Sequence, residues 1–390
     1  MALVLVLSAT GTASAADTAQ HVDVVQVSGW IDPVVVEFLT QSIAASERGG
    51  AEALVIQLDS PGALVSTSAL EARVRDARVP IAVWIGGAGA KAKGGAAKIA
   101  LAAPLRGMAP GARLQVGNQV FGPDAALRAG VVQLNQQQAG VIGTFLASLD
   151  GHEALGRTLH TATFTPSSKG PPDARLTVQA RLAKLDLGPR LMHTVASPPV
   201  AYLLLLAGLA LVVFELFTGG VGIAAGVGAA ALVLSAYGLD VLPTRPLGLG
   251  LLVLAAFGFG VDVQTGAPRF WTGAGVVSLV AGSLLLYRDP VQLGWVPLVG
   301  GIVGFVLMML AGLPATVRSR FSTPTIGRES MIGEPGEAVA ALDPEGVVRV
   351  REALWPARTN RATPIGAGEA VTVVGIDGSR LEVAPRTSFN

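Results

Sequence analysis

Three kinds of hydrophobic pattern follow one another along the chain. From His21 to Val27 the β-branched run HVDVVQV nearly alternates apolar and polar residues, which predicts a strand. Pro33 to Ala45 sets Val34, Val35, Phe38, Leu39 and Ile43 on one face at helical spacing. Ala53 to Leu58 (ALVIQL) and Pro80 to Ile85 (PIAVWI) are continuous apolar runs, the pattern of strands buried on both faces. Thr67 to Ala77 and the small, apolar stretch Ala96 to Ala103 predict helices. Strand and helix alternate, so residues 21–150 are expected to form a layered α/β domain with parallel strands. Residues 151–198 are more polar, with Pro166, Pro171, Pro172 and Pro189, and are expected to form a loosely structured extension or linker.

The second pattern is nearly charge-free. Within residues 199–314 the runs Val200–Phe217, Val221–Val241, Leu247–Val261, Trp271–Tyr287 and Trp295–Leu313 approach the length that crosses a bilayer, predicting about five transmembrane helices. Glycines such as Gly226, Gly228, Gly300, Gly301 and Gly304 let such helices approach closely. Trp271, Tyr287 and Trp295 stand at span ends, where amphipathic rings prefer the interface. The short Phe217–Gly220 connection leaves open whether the first two runs are two spans or one re-entrant unit. Met1 to Ser8 is a short apolar run before Ala13-Ser14-Ala15, the form of a cleaved export signal over residues 1–15. An exported first domain followed by five spans places the C-terminus in the cytoplasm. Arg318, Arg320 and Arg328 after the last span agree with this, and Arg245 in an external loop runs against it.

The third pattern, in residues 327–390, is that of a small all-β domain. Gly346–Arg351 alternates, and Ala370–Gly375 and Arg380–Ala384 flank Asp377-Gly378, a hairpin turn signal. Short strands with Gly and Pro punctuation suggest a small barrel.

Composition sharpens this picture. Of 390 residues 51% are hydrophobic and 14% charged, against roughly 25% charged in a soluble domain. The net charge of +1, from 28 Lys+Arg and 27 Asp+Glu, gives no bulk electrostatic case for nucleic-acid binding. With 0 Cys, thiolate catalysis, disulfides and Cys-held metals are excluded, and the 4 His are too scattered for a metal cluster.

The motifs together resemble the NfeD family of membrane-bound, ClpP-class serine proteases. Val27-Ser28-Gly29-Trp30-Ile31-Asp32-Pro33 is similar to the family's opening strand and turn, and Leu58-Asp59-Ser60-Pro61-Gly62-Ala63-Leu64 to its D-[ST]-P-G-G-L motif. Gly107-Met108-Ala109-Pro110-Gly111-Ala112-Arg113 resembles its M-A-P-G stretch. Gly346-Val347-Val348, Ala353-Leu354-Trp355-Pro356-Ala357 and Asp377 to Val383 resemble its C-terminal domain. The resemblance implies a ClpP/crotonase-like α/β domain outside the cell, a helical transmembrane bundle in the plasma membrane, and an all-β OB-fold domain in the cytoplasm. It also implies partnership with a stomatin-like membrane scaffold and a bacterial source. It implies no cofactor and no metal.

The catalytic pair of the family does not carry over. A Ser–Lys protease needs a hydroxyl nucleophile, an amine to take its proton, and backbone N–H donors for the oxyanion. The family's nucleophile lies in a G-[AS]-R-A-A-S-A-G stretch; the matching run is Gly89-Ala90-Lys91-Ala92-Lys93-Gly94-Gly95-Ala96, with Gly94 in the Ser position. No Ser or Thr occurs between Ser68 and Thr144. The segment that bears the family's catalytic Lys is also missing: Met108–Gly111 runs almost directly to Ala125-Ala126-Leu127-Arg128-Ala129-Gly130-Val131-Val132, and no Lys lies between Lys98 and Lys169. No catalytic residue is therefore expected. Gly62, Ala63, Gly94 and Gly95 mark a vestigial site region, read chiefly as turns that need Gly, with an uncut peptide site as the alternative.

Other candidates carry less. Lys91, Lys93 and Lys98 read as a solvated basic set that could alternatively meet an acidic peptide or headgroup. Ser60, Ser66 and Ser68 are candidates for a displaced nucleophile, the alternative being a membrane endopeptidase with a rearranged active site. Ser167-Ser168-Lys169 sits in a Pro-rich loop. Glu215 and Asp262 lie near span ends, where structural polar contact competes with an ion-pathway role. Trp355 is a candidate partner-binding anchor or core residue. Arg349, Arg351, Arg358 and Arg361 with Phe321 and Phe389 make a poor nucleic-acid groove. The expected contacts are lipid, a stomatin-like protein, and a homo-oligomer.

Overall fold

A computed structural model of the chain describes residues 20–87, 89–134, 138–166, 173–265, 270–316, 329–359, 363–386. The export signal, Ser167–Lys169, Arg318, Arg320, Arg328, Phe321, Arg361 and Phe389 fall outside these residues. Residues 1–314 and 315–390 form two compact units.

The first unit begins with the expected alternation. Strand β1 (His21–Ser28) leads into α1 (Pro33–Gly49), followed by β2 (Ala53–Asp59), α2 (Ser68–Arg75), β3 (Ile81–Ile85), the two-residue β4 (Lys91–Ala92), α3 (Gly95–Ala102) and β5 (Leu105–Met108). Helix α1 starts where Asp32 accepts the Val35 amide at 2.8 Å ahead of Pro33, and stops at the left-handed Gly50. The main sheet has the order β12-β1-β2-β3-β5, and each of its pairings is parallel. All five residues of β3 are buried, as a strand covered on both faces requires.

The hairpin β6 (Arg113–Val116) and β7 (Gln119–Phe121) extends β4, and the short helices α4 (Pro123–Arg128) and α5 (Ile142–Ser148) close the domain. Trp84 stacks on Phe145 and donates to the Ala139 carbonyl at 2.8 Å.

The polar stretch expected to be a loose extension is instead built into the domain. It contains β8 (Glu153–Ala154), β9 (Arg157–Thr158), β10 (Ala162–Thr165), β11 (Asp173–Leu176) and β12 (Gln179–Ala183). Strand β12 pairs with β1 from His21–Gln179 to Val25–Ala183 as the sheet's edge. Its mostly exposed residues give no burial pattern, which is why the sequence reads as loop.

Helix α6 (Leu187–Val195) connects the sheet edge to the apolar helices α7 (Pro198–Thr218), α8 (Ile223–Val241), α9 (Pro246–Thr265), α10 (Phe270–Leu285) and α11 (Trp295–Leu307). Helix α11 continues through a π turn at Met308–Gly312, giving an apolar run to Thr316. Four of these helices are long and apolar enough to cross a bilayer; α10, with 16 residues, is shorter. Helix α10 nevertheless pairs with α9 at both ends. A Thr244–Tyr287 bridge joins them at one end, and the Asp262 carboxylate accepts the Thr272 amide at 2.6 Å at the other.

Helices α7 and α8 form a matching hairpin, and small residues set the spacing in both. A methyl added at Gly208 would lie 3.0 Å from the Gly228 carbonyl oxygen; one at Gly282 would lie 2.9 Å from that of Gly248. Tyr202 donates to the Ser283 hydroxyl, 2.8 Å away, tying one hairpin to the other.

The second unit is a closed barrel of β13 (Pro335–Ala338), β14 (Glu345–Val350), β15 (Ala353–Arg358), β16 (Ala370–Asp377) and β17 (Arg380–Pro385), in the order β13-β14-β15-β17-β16. Only β15–β17 is parallel. Asp377-Gly378 makes the expected turn, with Gly378 at φ +60°. Pattern reading passed over β13 and β15 because Pro335 and Pro356 interrupt their ladders. Val348, Val350, Val371, Val373, Leu381 and Val383 fill the interior.

Candidate functional site

The residues read as a vestigial site lie beyond the C-terminal ends of the parallel strands, where open α/β sheets present their clefts. After β2 the chain turns through Asp59–Leu64. The Gly62 carbonyl accepts the Ile31 amide at 3.0 Å, and the Ile31 carbonyl accepts Leu64 at 2.9 Å, lacing this turn to the one after β1. A methyl on Gly62 would lie 2.8 Å from the Trp30 ring. On the other side Ser60 and Ala92 form a parallel bridge, its two backbone hydrogen bonds exchanged with Lys91 and Lys93.

Gly94 stands at the head of α3 with φ +52° and ψ −124°, a backbone that L-residues rarely adopt. This is a sharp strand-to-helix turn, the kind of place that presents a nucleophile. A methyl built on Gly94 meets nothing within 4 Å, so the position faces open space. Gly95 is the reverse case: a methyl there would lie 2.6 Å from the Ala63 methyl and 2.9 Å from Thr67 Cγ2. The structure thus brings together the four residues read as a vestigial site. Ala63 and Gly95 lie against each other, Gly62 sits beside Trp30, and Gly94 occupies the exposed corner without a side chain.

The other serines lack the setting of a nucleophile. Ser60 is 0% exposed and donates to the Gly62 carbonyl at 2.9 Å. Ser66 and Ser68 are exposed and bonded to each other at 3.1 Å. Lys91, Lys93 and Lys98 are all exposed.

One polar pair at this edge escaped the reading of the sequence. Asp32, 1% exposed, accepts His193 Nδ1 through Oδ2 at 2.7 Å while its Oδ1 caps α1. His193 Nε2 faces the Ser28 carbonyl at 3.0 Å. The Asp32 carboxylate, chiefly by this hydrogen bond, holds the imidazole above its ordinary pKa, and burial opposes it. With Nε2 turned to a carbonyl, this His is a structural partner and no base for a serine. The pair spans 161 residues, so spacing carries no trace of it; the one signal is an Asp-Pro helix start after β1.

Glu215 and Asp262, the carboxylates near span ends, each cap the next helix of their hairpin. Glu215 accepts the amides of Gly222 at 2.7 Å and Ala224 at 3.2 Å, and Asp262 accepts that of Thr272. In the barrel Trp355 pairs with Val348 across the ladder and packs, half-buried, on the interior. Arg358 is held by Glu382 at 2.5 Å and Asp377 at 3.3 Å, and Arg380 by Glu345 at 2.6 Å, so these cations are already balanced. Among the described residues no group of three or more His, Cys, Asp or Glu could hold a metal.

An α/β domain with a sharp glycine corner, hairpins of apolar helices and a closed barrel define a multi-pass membrane protein with soluble modules. Residues 199–313 match the NfeD integral membrane domain, and residues 328–385 the NfeD-like C-terminal, partner-binding domain. The membrane helices and the barrel are thus NfeD-family domains of a multi-pass membrane protein. It is 26% identical over 407 residues to the membrane-bound protease PH1510 of Pyrococcus horikoshii, covering 92% of each chain. Two solved structures from that organism are similar to parts of it. The 1510-N membrane protease specific for a stomatin homolog is 20% identical, covering 45% of this chain and 98% of that one, with a TM-score of 0.37. The C-terminal domain of the stomatin operon partner protein 1510-C is 43% identical, covering 16% and 98%, with a TM-score of 0.16.

Proposed function

We propose that this protein is a catalytically inactive protease homologue that acts as a membrane scaffold and partner of a stomatin-like protein. The observation that carries the reading is Gly94. It occupies the exposed, strained corner at the head of α3 where the matching family motif has its Ser, and it has no atom with which to attack a carbonyl. The sequence supports the same conclusion independently, since no Lys lies between Lys98 and Lys169 to act as base. The buried Ser60 hydroxyl is spent on Gly62, which argues against a nucleophile rebuilt there.

The barrel is the partner-binding element in this proposal. We read it as an OB-fold, on the strength of its strand order and its single parallel pair. In this proposal an export signal carries the first domain outside the cell, and five crossings, with the shorter α10 counted as one, leave the C-terminus in the cytoplasm. The stomatin-like partner rests on the likeness to the stomatin operon proteins named above.

The reading is tested by crosslinking the membrane-embedded chain in its native cells, followed by mass spectrometry. The expected result is a stomatin-like protein linked to residues 329–386. Crosslinks from that region only to soluble proteins would overturn it.

A further inference from the structure

Helix α6 carries an apolar face that the protein leaves bare. Leu187 is 81% exposed and Leu191 47%, four residues apart and therefore on one side of the helix. The opposite side is engaged through His193, which binds Asp32 and Ser28; one turn beyond Leu191, at the end of the helix, Val195 is 2% exposed. The C-terminal end of α6 is fixed at the rim of the membrane domain. The Val195 carbonyl oxygen lies 2.4 Å from where a Gly238 methyl would sit, within the last turn of α8, and α7 begins at Pro198. The bare face thus lies just ahead of α7, the first of the apolar helices.

The charges beside it favour a lipid occupant. Arg181 and Lys184 precede α6 and Arg190 lies on it, against one acid in residues 181–190, Asp186, and all four are exposed. Leucines on one side with cations at the border are the make-up of a helix that lies in the headgroup region of an anionic bilayer.

We propose that α6 is an interfacial helix. Leu187 and Leu191 enter the boundary between headgroups and acyl chains, and Lys184 and Arg190 meet lipid phosphates. The pair His193–Asp32 then fastens the α/β domain to a lipid-seated helix.

The absence of Cys makes the test clean. Leu187→Cys and Leu191→Cys would each be labelled with a small fluorophore in the full-length protein in lipid nanodiscs. Arg48→Cys, at the far end of α1, serves as the aqueous reference, and Val233→Cys on α8 as the lipid reference. Nitroxide-labelled lipids report proximity. The proposal expects several-fold stronger quenching at positions 187 and 191 than at 48 in discs containing phosphatidylglycerol. Changing Arg181, Lys184 and Arg190 together to Gln should reduce it to the level of phosphatidylcholine discs. Quenching at 187 and 191 no stronger than at 48 would overturn it. So would 187-to-187 disulfides between copies without lipid quenching, which would assign the face to a second copy.

Discussion

His193 and Asp32, far apart in sequence, meet at 2.7 Å where the α/β domain joins the membrane helices. Both acceptors of the ring, the Asp32 carboxylate and the Ser28 carbonyl, lack protons to give, so both ring nitrogens must donate and the imidazolium is the form that fits. The direction of its pKa shift follows: raised from 6.5. A group with a raised folded-state pKa contributes stability that is complete below its ordinary value and is lost as pH rises through the folded one. His193→Ala should therefore cost about 1.5–3 kcal/mol at mildly acidic pH, and the difference from wild type should shrink as pH rises above neutral. Thermal unfolding of both proteins in detergent across that range checks this; a gap that widens with pH would refute it.

The two glycines at the head of α3 should each lose stability when substituted, for different physical reasons. Gly95→Ala pushes a methyl to 2.6 Å from Ala63 and should cost about 1–3 kcal/mol by overpacking. Gly94→Ser enters open space and costs only the strain of its positive-φ backbone, about 1–3 kcal/mol. Its new hydroxyl should stay unreactive, because no Lys lies between Lys98 and Lys169, the stretch where the family's catalytic Lys would fall. Unfolding midpoints at or above wild type would contradict either cost, and hydrolysis of a peptide ester by the Gly94→Ser protein would contradict the expected lack of reactivity.

Glu215 and Asp262 act as caps in the structure, which separates them from an ion pathway. Glu215→Ala and Asp262→Ala should each lower stability by about 0.5–2 kcal/mol, the ordinary value of a lost cap. Ion flux through proteoliposomes should be the same as for the wild type. Flux altered by either change, at equal protein content, would restore the pathway reading.

Gly238→Ala should loosen the joint between α6 and α8, because its methyl would fall 2.4 Å from the Val195 carbonyl oxygen. Backbone cannot move aside as a side chain can, so a cost of about 1–3 kcal/mol is expected. Faster amide hydrogen exchange over residues 187–195 would report it. Protection equal to wild type would show that the contact is not tight.

Pattern and composition made much of the architecture legible. Runs such as ALVIQL and PIAVWI can be little other than doubly covered strands, and the charge-free stretches from Val200 onward declare themselves. The glycine corner was legible too, through the motif around Gly94. Strand β12 was hidden because an edge strand with exposed Arg181 and Leu182 has no burial period. Strands β13 and β15 were hidden by Pro335 and Pro356. The Asp32–His193 pair was invisible because only the folded chain brings its ends together, and the capping roles of Glu215 and Asp262 required knowing which helix starts beside each. The sequence could not place Trp355, which the barrel holds half-buried against its interior.

The loss of the nucleophile is the claim on which the functional reading turns. Its most direct test treats the full-length protein in native membranes with a fluorophosphonate probe and maps any adduct by mass spectrometry. No labelled serine is expected. An adduct on Ser60, Ser66 or Ser68 that disappears after heat denaturation would contradict it and show an active site rebuilt on another residue.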